Sequence, residues 1–366
     1  MKTEEPMKRI ALITLVLVLI IFILPLMVVG GKSADIQPDD GEVKRPDDAI
    51  EAAGPTKIED KESKAPSEDG GQSVGTAPLY DDEVTVRVSH NGKIMSMSLR
   101  SYLLGVVAAE MPAYYPLEAL KAQAVAARTY TYSRMIAAKA GKQAHNGADV
   151  CTDPAHCKAY IDWEERQAEW EDAGRSDYSE KIVSAVDSTS GEIIIYDDQP
   201  IVAVFHAASA EYTENAGDVW GTDVPYLRSV RSPEGADYNK KITFTTEEFR
   251  DLLEGTYPEA QLSDEPENWF GEVIYTEAGG VSSIVVGGVK ISGKDMRKIF
   301  GLPSANFEID VRKNRITFDT KGYGHGVGMS QYGARALALK GMDHEDILLW
   351  YYTDVSIGRA TKKLIS

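Results

Sequence analysis

Cysteine is scarce. The 366-residue chain has two, Cys151 and Cys157, which excludes a disulfide-stapled scaffold and leaves stability to an ordinary core. Basic charge is also short, with 39 Lys and Arg against 57 Asp and Glu and a net charge of −18. Such a chain repels polyanions at long range, so nucleic acid is not expected as a partner. Apolar side chains are not short: they make up 43% of the sequence, with 18 Tyr. That excludes a wholly disordered chain and provides aromatic surface suited to sugars. There is no internal repeat.

The one long apolar run is Ile10 to Val29. At 1.5 Å per residue it spans the roughly 30 Å hydrocarbon core of a bilayer. It is longer than the apolar part of a secretory signal, and Val29-Gly30-Gly31 is a poor cleavage site, so it reads as a retained anchor. Lys8 and Arg9 precede it and no basic cluster follows, which places residues 1–9 in the cytoplasm and the rest of the chain outside, with the protein in the cell membrane. Residues 30–80 are rich in Pro, Gly, Ser and acids, with 12 acidic and 6 basic residues between 31 and 80. A segment without apolar periodicity cannot offset its ordering entropy, and it reads as a flexible tether.

From 81 to 366 the chain reads as one extracytoplasmic domain of the α+β class, mixing helices with antiparallel strands. VTVRVS and KIMSMSL flank Asn91-Gly92, a hairpin turn signal. Ser98 caps a helix over Leu99–Ala109, and Pro116 opens an Ala-rich helix from about Leu117 to Lys139, leaving Glu110 at the corner between them. GEIIIY and PIVAVFHAAS read as two strands, with His206 and Ser209 at a strand end. Residues 235–318 read as a possible small lobe with strands KKITF, GEVIYTE, VSSIVVGG and RITFD and short helices near Thr246–Leu253 and Lys294–Phe300.

Three features can carry chemistry. Glu110 follows Val106-Val107-Ala108-Ala109, an apolar setting that raises a carboxyl toward general-acid use. Lys121 and Arg128, two turns apart on one helix face, oppose that effect if they lie close. The plain alternative is a surface Glu beside a basic stripe. His145, Cys151, His156 and Cys157 fall within 13 residues and suit a tetrahedral zinc site; four protein ligands leave no open position, so the zinc is structural. A Cys151–Cys157 disulfide is the competing reading in an extracytoplasmic domain. Gly324-His325-Gly326-Val327-Gly328 precedes Ser330, a potential cap of the next helix, and is either a ligand-approaching loop or a tight turn around a packed His.

The run Leu104 to Pro112, the stretch Leu117 to Tyr130, His206 to Trp220, Pro225-Tyr226-Leu227 and Gly324 to Ala334 together resemble the stage II sporulation protein D family, over roughly residues 84–357. The resemblance implies a lytic transglycosylase that cleaves the MurNAc-GlcNAc bond of peptidoglycan during forespore engulfment, with Glu110 as the acid/base. It implies glycan strands stripped of stem peptides as substrate, and the stage II sporulation proteins P and M as partners. It further implies sugar contacts from Lys121, Gln123, Arg128, Tyr130, His206, Ser209, Tyr212, Thr213, Glu214, Trp220, His325, Ser330, Gln331 and Tyr332. Where the family carries Ser-Gly-Gly, this chain has Ser209-Ala210-Glu211. The alternatives are a non-catalytic peptidoglycan-binding module, a zinc hydrolase with Glu110 or Glu164 as base, and a muramidase using Glu211, Glu214 or Asp218 as second carboxylate.

Overall fold

The computed structural model describes residues 77–365 except 143–144, 146 and 235–237. The expected cytoplasmic tail and membrane span, and nearly all of the tether, lie outside the described residues. Among those described, no helix is long and apolar enough to cross a membrane. The tether boundary at residue 80 falls slightly late, because Pro78 already bridges Thr361 and Leu79 is buried.

Strands β1 (Thr85–His90) and β2 (Lys93–Ser98) pair in antiparallel register from Thr85↔Ser98 to His90↔Lys93. The turn between them has φ of 48° at Asn91 and 75° at Gly92, the left-handed pair that a two-residue hairpin requires. Ser98 then caps helix α1 (Leu99–Glu110), its hydroxyl accepting from the Ser101 N–H at 3.1 Å. The helix stops where Met111 turns extended before Pro112.

Helix α2 (Leu117–Lys139) is the axis of the main lobe. Its small alanines are buried on several faces, so α1 and later helices approach it from different sides. Strand β3 (Val150–Cys151) joins β1 in parallel. Helices α3 (Trp163–Asp172) and α4 (Ser176–Ser188) follow, then β4 (Glu192–Tyr196) and β5 (Gln199–Pro200). Strand β6 (Phe205–His206) and the short helix α5 (Ala216–Trp220) complete this half of the lobe.

The chain then builds a second apolar core. It comprises β7 (Lys240–Thr245), α6 (Thr246–Glu254), β8 (Phe270–Tyr275), β9 (Val281–Val286), β10 (Val289–Ser292), α7 (Gly293–Ile299), β11 (Phe307–Arg312) and β12 (Arg315–Thr320). The strands form two antiparallel sheets, β10-β9-β8 and β11-β12-β7. Between them Phe249 stacks on Phe300 at 4.5 Å, with Trp269, Phe307 and Phe318 around the pair.

The chain returns to the main lobe through β13 (Met329–Ser330), α8 (Gln331–Leu339), α9 (His344–Tyr351), β14 (Ser356–Arg359) and α10 (Lys362–Ile365). Strand β14 pairs with β4, and β13 lies parallel to β6. The fold is thus α+β with mainly antiparallel sheets; β1/β3 and β6/β13 are short parallel exceptions.

His344, the first residue of α9, clasps three elements. Its Nδ1 lies 3.1 Å from Glu118 and its Nε2 2.9 Å from Glu192. Burial works against the imidazolium, but the two carboxylates outweigh it and raise the pKa above 6.5. In return His344 holds Glu192 below its usual range, and with Lys121 it holds Glu118 down against the effect of burial. The imidazolium's stabilisation is complete below pH 6.5 and disappears as pH climbs through the raised value, whereas the carboxylates' contribution fades as pH falls through their depressed values. Urea midpoints should therefore decline as pH rises from about 6.5 to 8, and His344→Gln should flatten that decline. An unchanged slope in the variant would assign the decline to other groups.

Candidate functional site

Three segments distant in sequence meet around Glu110. The last residue of α1 presents the side chain, half-buried. Its Oε1 accepts the Ala159 backbone N–H at 2.9 Å and its Oε2 faces Gln331 Nε2 at 3.3 Å. Gln331 also reaches the fully buried Gln123, at 3.4 Å to Oε1. The Gln123 Nε2 has no partner among the described residues. Gln331 is placed by Ser330, whose hydroxyl caps α8 through the Gly333 N–H at 3.1 Å.

The β6 and β13 segments are zipped together: Ser330 pairs with His206, and the bridges Ala208↔Tyr323 and Glu214↔Val327 continue the contact. Two glycines permit this closeness. Gly324 has φ of 112°, and a Cβ there would sit 2.8 Å from that of His206; at Gly326, φ is 80° and a Cβ would meet Glu214 at 2.7 Å.

His206 Nδ1 lies 3.2 Å from the Val327 carbonyl, so that nitrogen carries the proton and Nε2 accepts the Ser209 hydroxyl at 2.7 Å. Burial pushes its pKa down to about 4, against the Val327 bond. The neighbouring His325 ring, 5.7 Å away, is also pushed well down, by burial and then by His206, Lys158 and Arg297. Both imidazoles are neutral near pH 7, and His325 Nδ1 accepts the Val327 N–H at 3.1 Å. Trp220, 40% exposed, lies 5.3 Å from the His325 ring.

Two participants carry no recognisable signal in the sequence. Glu234 binds the Ser209 N–H and the Ser330 hydroxyl through Oε1, and the Ser232 hydroxyl through Oε2. Buried Lys158 lies 3.4 Å over the Phe205 ring and 4.5 Å over Tyr130. Burial draws its pKa down to about 8, opposed by Glu110 and Cys157. It follows Cys157 directly, and nothing in its flanking residues marks it out.

Several residues expected at the sugar are placed otherwise. Arg128 is 0% exposed and makes a bidentate pair with Asp81, at 2.8 and 2.7 Å. A guanidinium in the core is inaccessible, and the shared helix face with Lys121 does not hold as a basic stripe. Lys121 itself pairs with Glu118 at 2.7 Å. Thr213 is fully buried, its hydroxyl bonded to the backbone of Val230. Tyr130 is buried beneath Lys158, and Tyr332 packs edge-on against Tyr115 and Tyr238. Tyr212, 42% exposed, remains open and, with Glu214, Trp220 and His325, lines a cavity facing the second core.

The thiols and imidazoles of His145, Cys151, His156 and Cys157 converge, with ligand atoms all within 4.8 Å of one another. Both cysteines are free, so the disulfide alternative is not what this structure has. Each sulfur lies 3.6 Å from His156 Nδ1, and Cys157 lies 3.2 Å from His145 Nε2. Zinc bonds of about 2.3 Å to sulfur and about 2.0–2.1 Å to nitrogen give a tetrahedral S···N edge of about 3.6 Å. The donor set fits such an ion. Ala159, which clamps Glu110, lies two residues beyond Cys157.

A family model described as stage II sporulation protein matches residues 88–196. The chain is 35% identical over 305 residues to the stage II sporulation protein D of Bacillus subtilis (strain 168), covering 81% of this chain and 84% of that one. It is 37% identical over 299 residues to the protein of the same name from Bacillus amyloliquefaciens, covering 79% and 83%. A weaker similarity, 26% over 306 residues, extends to 40% of a Bacillus subtilis (strain 168) protein named amidase enhancer.

Proposed function

The chain belongs to the stage II sporulation protein D family, and from that premise we propose that it is a sporulation enzyme, a lytic transglycosylase acting on the glycan strands of peptidoglycan. The observation that carries this is the setting of Glu110: an acid held by a backbone N–H on one oxygen, with the other facing a carboxamide. Hydrolysis by a paired-carboxylate mechanism needs a second acid at a defined distance. The candidate second acids have other neighbours. Glu211 faces Arg231 at 4.0 Å, Asp218 accepts from Asn215 at 3.0 Å, and Glu214 stands over Gly280.

One carboxyl suffices for intramolecular transfer. Ala159 fixes Oε1, so Oε2, in longer contact with Gln331, is the oxygen left to exchange a proton with the substrate. It protonates the glycosidic oxygen between MurNAc and GlcNAc; the bond from MurNAc C1 to that oxygen breaks, the GlcNAc unit leaves carrying the hydroxyl, and positive charge develops at C1. The same carboxylate then takes the proton of the muramyl C6 hydroxyl as that oxygen attacks C1. The product is a 1,6-anhydromuramyl end, formed without water. The test is the chemistry of that end: an anhydro terminus supports transfer, whereas a reducing terminus signifies hydrolysis.

Residues 10–29 are proposed as the membrane anchor and 30–80 as the tether that lets the domain reach the wall outside the cell. Stage II sporulation proteins P and M are proposed as its partners there. The Cys2His2 cluster is proposed to hold a structural zinc, which supplies rigidity to its loop. The chain's own Cys157-Lys158-Ala159 segment transmits that rigidity to Glu110. Chelation should remove one metal per chain, lower the melting temperature and reduce turnover about tenfold or more. Metal-free protein with unchanged melting and turnover would contradict this.

A further inference from the structure

Glu234 lies in none of the motifs that carry the family resemblance, yet its half-buried carboxylate joins the two segments zipped together beside Glu110. Its Oε1 accepts the Ser209 N–H at 2.5 Å, from the loop after β6, and the Ser330 hydroxyl at 2.6 Å, from β13. Its Oε2 accepts the Ser232 hydroxyl, whose oxygen lies 2.7 Å from Tyr351 Oη at the end of α9. The paired stretch of β6 and β13 ends at His206↔Ser330, and Glu234 bonds both sides at that end. All of its donors are uncharged, so it serves as a hydrogen-bond acceptor, a role that an amide oxygen can also fill.

These bonds fix more than their own partners. Ser330 has one hydroxyl proton, and Glu234 is its near acceptor, the Ala207 carbonyl lying at 3.5 Å. With the proton there, the oxygen's lone pairs face the Gly333 N–H and cap α8. The first residue of that helix is Gln331, 7% exposed, whose Nε2 directs its two hydrogens to Gln123 Oε1 and Glu110 Oε2. Gly333 shows how closely the first turn of α8 is pressed on the clamp: a Cβ there would lie 2.6 Å from Glu234 Oε2 and would also meet the Ser232 and Tyr351 hydroxyls.

We propose that Glu234 is a positioning residue for the transfer reaction: by holding Ser330 and Ser209 it sets the first turn of α8 so that the Gln331 carboxamide stays on Glu110 Oε2. This rests on the transglycosylase reading above. Oε2 meets the substrate in both proton transfers, and an N–H donor kept on it fixes the rotation of the carboxyl group while its charge changes. A misplacement of about 1 Å at such a group costs as much as about 10²-fold in rate. Glu234 acts through Gln331 and not on the substrate.

The test is turnover of glycan strands by the full chain in detergent, in a cycle of Glu234→Ala, Gln331→Ala and the double variant, with strand affinity measured by calorimetry in a Glu110→Gln background. Glu234→Ala should lower kcat about tenfold or more and change affinity by less than about threefold. In the Gln331→Ala background the same substitution should lower kcat by less than about twofold, because the group it positions is gone. Glu234→Gln, whose carbonyl can accept from both Ser209 and Ser330, should keep kcat within about threefold of wild type. If Glu234→Ala does not fold, Glu234→Asp, one methylene short of its donors, takes its place in the cycle. A merely structural clamp would lower the melting temperature and give equal losses in both backgrounds. Equal losses, a loss of affinity in place of kcat, or a Glu234→Gln variant as slow as Glu234→Ala overturns the proposal and leaves the transglycosylase reading intact. If the wild type turns over no strands, that reading fails, and the proposal is decided by the Gln331 Nε2 proton resonances in NMR spectra of the full chain, identified by their loss in Gln331→Ala. Glu234→Ala should shift them and Glu234→Gln return them, and unmoved resonances overturn the proposal.

Discussion

Glu110→Gln should lower kcat on glycan strands by about 10²–10⁴-fold, the range that a positioned acid/base contributes, and leave strand affinity within about threefold. The substitution keeps the side chain's length and lets its carbonyl accept from Ala159, so the corner after α1 keeps its shape. What it removes is the proton, and with it both halves of the transfer, since the same oxygen protonates the leaving group and then deprotonates the C6 hydroxyl. The measurement is turnover with purified strands beside calorimetric affinity. Residual turnover above a tenth of wild type would mean that another group supplies the proton. Loss of affinity together with turnover would make Glu110 a binding residue instead.

The second large effect concerns stability. Arg128 and Asp81 are buried to 0% and 1% exposure, and the guanidinium also donates to the Val186 and Glu192 carbonyls at 3.1 and 3.3 Å. The pair ties the turn Asp81–Glu83 to α2, α4 and β4. Removing one partner leaves an uncompensated charge in the core, so Arg128→Met or Asp81→Leu alone should cost about 3–5 kcal/mol in urea unfolding. The double variant should recover most of that loss, because two apolar groups replace a pair whose desolvation was costly. A single variant within about 1 kcal/mol of wild type would show that water reaches the pair. Arg128 as a sugar ligand would give the opposite pattern: ordinary stability and weakened substrate binding.

That contrast shows where sequence reasoning reaches its limit. Elements whose signals are local were legible. Asn91-Gly92 sets its own turn, Ser98 caps its own helix, and the four metal-type ligands sit in one short loop. Arg128 was not legible, because a basic residue in an Ala-rich helix has the same local pattern whether it faces solvent or core. The decision lies with Asp81, 47 positions earlier. Lys158 and Glu234 are likewise defined by partners from other elements: Phe205 and Tyr130 for one, Ser209 and Ser330 for the other. Strand β11 was missed because FEIDVR alternates apolar residues with charges in a lobe where one sheet face meets water. Glu110, Gln331 and His206 were singled out by family motifs, yet the zipper of β6 on β13 that brings their segments together is visible only in the fold.

The most direct measurement is mass spectrometry of the products that the full chain releases from glycan strands free of stem peptides, with Glu110→Gln in parallel. Intramolecular transfer by one carboxyl predicts 1,6-anhydromuramyl ends from the wild type and intact strands from the variant. Reducing muramyl ends, with an oxygen taken from solvent, would contradict it and require a second acid beside Glu110.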